Sequence, residues 1–314
     1  MPGTATAPTD AQRPVSHPHD GLRVDGLRRR FGDVEALDGV SLHVRPGSVH
    51  GFVGANGAGK TTTMRIIVGV ERADAGTVHV DGATVTPAMR ARIGYLPEER
   101  GLYPDMRVLD QVTYLACLQG LGAATARDRS AALLDRLGLG RRLQDPTGRL
   151  SLGNQQRVQL AAAIVHDPDV LVLDEPFSGL DPVACDVMAD LVTEQASRGV
   201  PVLFSSHQLE LVERLCDHVT IIAGGRPVAN GSIPTLRAAR ADRRLRIGLD
   251  GEHPAWTDQH GVLAANRDGA HVVLTLADHG DDQPLLDLAR RHGRVRHFGG
   301  VEPTLAELYR EVAS

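Results

Sequence analysis

The chain has 314 residues, 42% hydrophobic, 23% charged and 3% aromatic, with a formal net charge of −5 at pH 7. That length can bury two cores, and the net charge argues against a protein whose whole surface binds nucleic acid, so no nucleic-acid partner is expected. No run reaches the roughly 20 apolar residues that span a bilayer; the longest, such as Leu160–Val165 and Val170–Leu173, are core-sized, so this chain is not expected to form a membrane path by itself.

In chain order, residues 1–20 carry Pro, Thr, His and Ala without an apolar stretch, which predicts a disordered tail and not a signal peptide. Short β-rich runs follow at Val40–Val44, Val49–Val53, Thr77–Val80, Ile93–Leu96, Val170–Leu173, Val202–Ser205 and Val219–Ile222. They alternate with helix-length segments, the pattern of an α/β fold with a largely parallel sheet. From about residue 98 to 168 the strand signal lapses, and Val108, Val112, Leu115 and Leu118 fall on one helical face. An inserted helical subdomain is expected there. Cys117, Cys185 and Cys216 are far apart and lack metal-ligand spacing, so reduced, partly buried thiols suited to cytoplasm are expected.

After Gly231 the composition changes, and the Arg-rich stretch Arg237–Arg246 reads as a linker or exposed helix. Beyond it come strand Leu245–Leu249, a short helix near Pro254–His260, strands Val262–Asn266 and His271–Leu276, helix Pro284–His292 and strand Arg294–Phe298. That order suits a small α+β, ferredoxin-like β-α-β-β-α-β domain over 240–314, closed by helix Thr304–Val312.

Two motifs carry chemistry. Gly54-Ala55-Asn56-Gly57-Ala58-Gly59-Lys60-Thr61 follows the apolar strand His50–Val53 and precedes the helix-compatible run Thr62–Val68, the context in which a glycine-rich loop cradles phosphate. The glycines let successive N–H groups and a helix N-terminus point at phosphate oxygens, Lys60 supplies a point charge to the β- and γ-phosphates, and Thr61 ligates Mg²⁺. Lys60 is also the only lysine in the chain, a compact ammonium kept where a planar guanidinium fits poorly. The second motif is the apolar strand Val170–Leu173 ending in Asp174 and Glu175. Open α/β sheets bind ligands at such carboxyl ends; Asp174 can hold Mg²⁺, and Glu175 can polarise the water that attacks a γ-phosphate.

With these motifs in order, the chain resembles the ABC ATPase family over about residues 22–235. Leu150-Ser151-Leu152-Gly153-Asn154-Gln155-Gln156-Arg157 is similar to the family signature. The resemblance implies that Ser151 and Gly153 face the γ-phosphate held by an opposite subunit, in a homodimer or with a paralogous ATPase. A capping serine, a glycine and a helix dipole also form an anion site on physical grounds. Ser178-Gly179-Leu180-Asp181 resembles the D-loop, His207 the switch histidine, and Phe31 the aromatic that stacks on adenine.

Glu98 stands where most members of the family have a glutamine near Mg²⁺ and the membrane partner, and Leu152-Gly153-Asn154 replaces the widespread Gly-Gly-Gln. Both departures resemble ATP subunits of ABC-2 type exporters, including sodium-efflux relatives, to which a C-terminal accessory domain is often appended. The implied protein is a P-loop NTPase with an ABC-type helical subdomain and a nucleotide-binding domain over 21–235. It would bind ATP, with Phe31, residues 54–61, Thr62, Ser151, Gly153 and Asp181 contacting nucleotide. Thr61, Asp174 and Glu98 would hold Mg²⁺, and Lys60, Glu175 and His207 would be catalytic. The implied partner is a transmembrane permease, with this chain peripheral at the cytoplasmic face of the membrane and powering export; the ATPase of an ABC importer, or a soluble ABC ATPase that remodels a macromolecule, is the alternative.

Overall fold

The computed structural model describes residues 20–239, 243–277 and 281–312; apart from Asp20, the expected tail lies outside the described residues. The first elements among the described residues form a hairpin that the sequence pattern did not flag, β1 (Leu22–Phe31) and β2 (Val34–Val44). Gly32, at φ 56, makes its turn in the left-handed conformation that two-residue hairpin loops require. Next come β3 (Val49–Val53), α1 (Lys60–Val68), β4 (Ala75–Val80), β5 (Ala83–Thr84), α2 (Pro87–Arg90) and β6 (Ile93–Leu96). Helices α3 (Val108–Leu118), α4 (Ala123–Arg136) and α5 (Leu152–Ile164) separate β6 from β7 (Val170–Leu173). Then follow α6 (Pro182–Ser197), β8 (Val202–Ser206), α7 (Leu209–Leu215), β9 (His218–Ala223), β10 (Arg226–Ser232) and α8 (Ile233–Ala238).

The central sheet has the order β10-β9-β3-β8-β7-β6 and is parallel except for β10. Its alternating side chains feed two cores, as the two-residue period of a strand buried on both faces requires. Leu171 and Leu173 of β7 join a core with α3–α7, while Val170 and Val172 join one with α1 and the β1–β2 hairpin. The expectation of one parallel sheet needs correcting at Val40–Val44 and Thr77–Val80. Both belong to a separate antiparallel sheet, β2-β1-β4-β5, because β2 is the return arm of a tight hairpin and cannot reach a parallel neighbour without a crossover. Leu118 also departs from its expected face: it is 64% exposed, and α3 buries Val108, Leu109, Val112 and Ala116 instead.

The last part comprises β11 (Arg243–Asp250), β12 (Val262–Asp268), β13 (His271–Leu276), α9 (Gln283–His292), β14 (Arg294–Val301) and α10 (Leu305–Val312). Its antiparallel sheet, ordered β12-β13-β11-β14, has the strand order of a ferredoxin-like unit. Two expectations change here. Residues 243–246 are strand and not linker, since Leu245, Ile247 and Leu249 alternate into a core with Trp256 and Leu285. The expected helix near Pro254–His260 is a 3₁₀ turn at Trp256–Asp258. Helix α10 does not cover this sheet's own core: Leu305 and Leu308 pack with the core of α3–α7, and the N–H of Leu305 donates to Glu213 of α7 at 3.4 Å.

Candidate active site

Neighbouring strands β3, β8 and β7 run parallel, so their carboxyl ends place three loops side by side. The loop after β3 is residues 54–59, held tightly at its two ends, where nothing larger than glycine fits at Gly54 and Gly59. A Cβ on Gly54 would lie 2.5 Å from the Ile222 carbonyl oxygen, and one on Gly59, at φ 107, would lie 2.8 Å from that of Ala36. Gly59 then caps α1, which starts at Lys60 with no side-chain cap on its first N–H groups. Those free N–H groups and the positive end of the helix dipole form an anion-binding end. Ala55, Asn56 and Gly57 are exposed, whereas Ala58 is buried and Thr61 and Thr62 are half-buried.

Lys60 is 6% exposed. Its Nζ donates to the carbonyls of Gly54 at 2.8 Å and Ala55 at 3.2 Å, and stands 3.7 Å from Glu175 Oε1. The sequence-predicted acid is therefore brought to the sequence-predicted lysine. Glu175 is 7% exposed and Asp174 0%. Among the described residues, Asp174 Oδ2 and Glu175 Oε1 are the buried carboxylate oxygens without a hydrogen-bond partner. A buried carboxylate oxygen without a hydrogen bond is costly, and such costs are characteristic of sites that do chemistry. Glu175 also has φ 49, a left-handed conformation that a residue with a Cβ adopts at a cost of about 1–2 kcal/mol.

His207, at the end of β8, meets Glu175 Oε2 through Nδ1 at 2.9 Å, its ring half in solvent. Thr61 Oγ1 donates to Glu98 Oε2 at 3.4 Å, so the unusual Glu98 stands beside the threonine. Asp174 acts on its surroundings as well. Burial and then this carboxylate push the Tyr95 hydroxyl up to about 12. Thr61, Asp174 and Glu98 offer only oxygen donors. Among the described residues no cluster of three or more His, Cys, Asp or Glu could hold a metal, and Mg²⁺ bound to a nucleotide needs none, because phosphates and water complete its shell. The donor set and the unpartnered Asp174 Oδ2 fit Mg²⁺.

Phe31 is 44% exposed at the hairpin tip, with the Arg29 guanidinium 4.6 Å from its ring centroid. The next strand of that hairpin supplies Ala36 and Leu37, which abut Gly59. The remaining predicted residues do not meet the loop. Ser151 caps α5, accepting from the Asn154 N–H at 3.4 Å, and Asp181 caps α6, accepting from Ala184 at 2.9 Å. Gly153 lies against Leu180, and Leu152 is 57% exposed. No hydrogen bond or ion pair described joins these residues to the loop at 54–61. Sequence reasoning missed Ser205, which bonds the Asp174 carboxylate and the Glu175 backbone N–H at once; the signal available was a wholly buried position turning polar after the apolar run Val202-Leu203-Phe204.

Residues 37–178 match the family model described as ABC transporter, and residues 231–313 match that of the ATP-binding protein DrrA1-3-like, C-terminal domain. A relative from Bacillus subtilis (strain 168), an uncharacterized ABC transporter ATP-binding protein, YhaQ, is 36% identical over 92% of this chain and 97% of its own length. The chain belongs to the ABC transporter ATP-binding proteins. This ABC ATPase binds nucleotide and hydrolyses ATP. A Nod factor export ATP-binding protein I from Ralstonia nicotianae (strain ATCC BAA-1114 / GMI1000) is 39% identical over 67% of the chain and 66% of its own length. Among solved structures, an ATP binding subunit of an ABC transporter superposes with a TM-score of 0.65 at 31% identity, over 69% of this chain and 92% of that one. No helix of this ABC ATPase, among the described residues, is long and apolar enough to cross a membrane.

Proposed function

We propose that this chain is the ATPase of an ABC-2 type exporter, built from a nucleotide-binding domain over about residues 21–235, with a helical subdomain at about 98–168, and a C-terminal accessory domain over 240–314. The observation that carries its chemistry is the pair of buried, unpartnered carboxylate oxygens on Asp174 and Glu175 beside Lys60. Adenine stacks on Phe31, the loop at 54–61 with Thr62 holds the phosphates, and the Lys60 ammonium leaves its carbonyl partners for the β- and γ-phosphates. Mg²⁺ held by Thr61 and Asp174, with Glu98 nearby, neutralises phosphate charge when bound. Glu175 accepts a hydrogen bond from the attacking water and orients it, and His207, tied to Glu175 Oε2, holds the acid and reaches the γ-phosphate.

Ser151, Gly153 and Asp181 make no bond to the loop of their own chain. In this reading they serve the loop of a second copy, or of a paralogous ATPase, so that two nucleotides are sandwiched between two chains. Loss of γ-phosphate opens the sandwich, and the helices near Glu98 pass the motion to a transmembrane permease at the cytoplasmic face of the membrane. Export is favoured by the relatives whose names carry it, the Nod factor export proteins.

The test is to express the chain with a tag and identify the membrane protein that co-purifies, then load vesicles holding both. ATP-dependent movement of cargo away from the face that carries the ATPase supports the reading. Movement toward that face makes the chain an importer ATPase, and ATP hydrolysis with no membrane partner makes it a soluble remodelling ATPase.

A further inference from the structure

Ser205 lies on β8, wholly buried, and no motif connects it with the acids. The β7–β8 ladder runs parallel as far as Leu173 opposite Phe204. Two residues on, the chain of β7 has left the ladder, with Glu175 in the left-handed region at φ 49. The backbone pairing that would satisfy the Glu175 amide therefore stops where two buried acids begin. Ser205 Oγ takes over at that point, accepting the Glu175 N–H at 2.9 Å and donating its single proton to Asp174 Oδ1 at 2.6 Å.

We infer that Ser205 is a positioning residue that sets both acids of the ATP site together. Its bond to Asp174 engages Oδ1 and leaves Oδ2 as the unpartnered oxygen. Its bond to the Glu175 amide holds the left-handed turn that sets the Glu175 carboxylate between Lys60 Nζ at 3.7 Å and His207 Nδ1 at 2.9 Å. A hydroxyl is suited to this place because one atom must both donate and accept. Alanine would leave a buried N–H and a buried carboxylate oxygen without partners. The inference rests on the ATP-hydrolysing reading of the site, and its consequences are separable from that reading.

The experiment compares the full-length wild-type chain with Ser205→Ala in three measurements: phosphate release from Mg²⁺·ATP, binding of a non-hydrolysable ATP analogue in EDTA, and Mn²⁺ affinity in the presence of that analogue by electron paramagnetic resonance. Residues that orient a metal ligand are typically worth about 10–100-fold in metal affinity or activity. Ser205→Ala is accordingly expected to lower kcat by about tenfold or more and to weaken Mn²⁺ by about tenfold, with metal-free analogue binding unchanged. Ser205→Cys fills similar space but hydrogen-bonds weakly, so it shows a smaller loss in the same direction and carries the test if the alanine variant does not fold. Wild-type values of kcat and Mn²⁺ affinity in a folded variant overturn the inference, as does an equal loss in all three measurements, which marks a general folding defect. A wild-type chain that releases no phosphate overturns the hydrolytic reading, while the Mn²⁺ measurement still decides the role of Ser205 toward Asp174.

Discussion

The central sheet and the C-terminal sheet carry charge in opposite ways. At the end of β7, Asp174 and Glu175 are buried and each keeps an oxygen without a hydrogen bond. Around the sheet of β11–β14, acids meet arginines at the surface: Arg243 with Asp282, Arg246 with Asp268, and Arg296 with Asp250. The contrast is between buried charge with incomplete hydrogen bonding and solvent-facing charge held in pairs. A buried carboxylate oxygen left without a hydrogen bond is costly and is characteristic of a site that a ligand completes; paired exposure costs little and contributes little.

The largest expected effect on nucleotide binding follows from removing the cation of the central site. Lys60→Ala deletes the charge beside Glu175 and, with it, the donor proposed for the phosphates. Charge-assisted hydrogen bonds are worth about 1.5–3 kcal/mol, so ATP binding is expected to weaken by about 10–100-fold, measured by titration of a fluorescent ATP analogue. Unchanged affinity would dissolve the contrast between the two sheets at its central point.

His50 sharpens the comparison, because it is a buried titratable group of the same central sheet that is given no chemistry. It lies on β3 and shares a hydrogen bond with Thr220 Oγ1 at 2.8 Å. Burial first, and then the charges of His218 and His43, lower it from 6.5 to about 3. Above 6.5 both folded and unfolded chains hold this histidine neutral. As the pH falls below 6.5 the unfolded chain takes up the proton and the folded chain does not until about 3. Stability should therefore decline across that window, and His50→Gln should flatten this part of the slope in urea denaturation curves. A wild-type curve that is level from 6.5 downwards would show that His50 charges freely in the fold.

The smallest effect belongs to the C-terminal surface. Arg296→Ala breaks an exposed pair, the one that holds the Asp250 carboxyl below its usual range. No measurable change in melting temperature or ATP turnover is expected. A clear loss of either would mean that surface charge on this sheet does more than keep the chain soluble.

Much of the central site is legible in residue order because its parts are local. The loop at 54–61, the acids after β7 and the histidine after β8 each follow a short apolar strand, and parallel pairing of β3, β8 and β7 brings their ends together. The β1–β2 hairpin is less legible, since β1 reads Leu-Arg-Val-Asp-Gly-Leu-Arg-Arg-Arg-Phe and its polar side faces water. Ser205 is illegible for a different reason: its importance lies in two bonds, to residues 30 and 31 positions away, and no local spacing encodes them. The docking of α10 on α7 is hidden in the same way. Its apolar residues repeat with helical period, but nothing in that period says which core receives Leu305 and Leu308.

Glu175→Gln, followed by light scattering with and without Mg²⁺·ATP, tests the central claim most directly, because it probes the proposed hydrolytic role of Glu175 and the proposed pairing of two chains through Ser151 and Gly153 in one sample. General-base contributions are about 10²–10⁴-fold, and phosphate release should fall by that order while ATP still binds. The retained nucleotide should hold two chains together, doubling the mass on addition of ATP. A variant that turns over ATP at the wild-type rate, or that binds ATP and stays monomeric, would contradict the account.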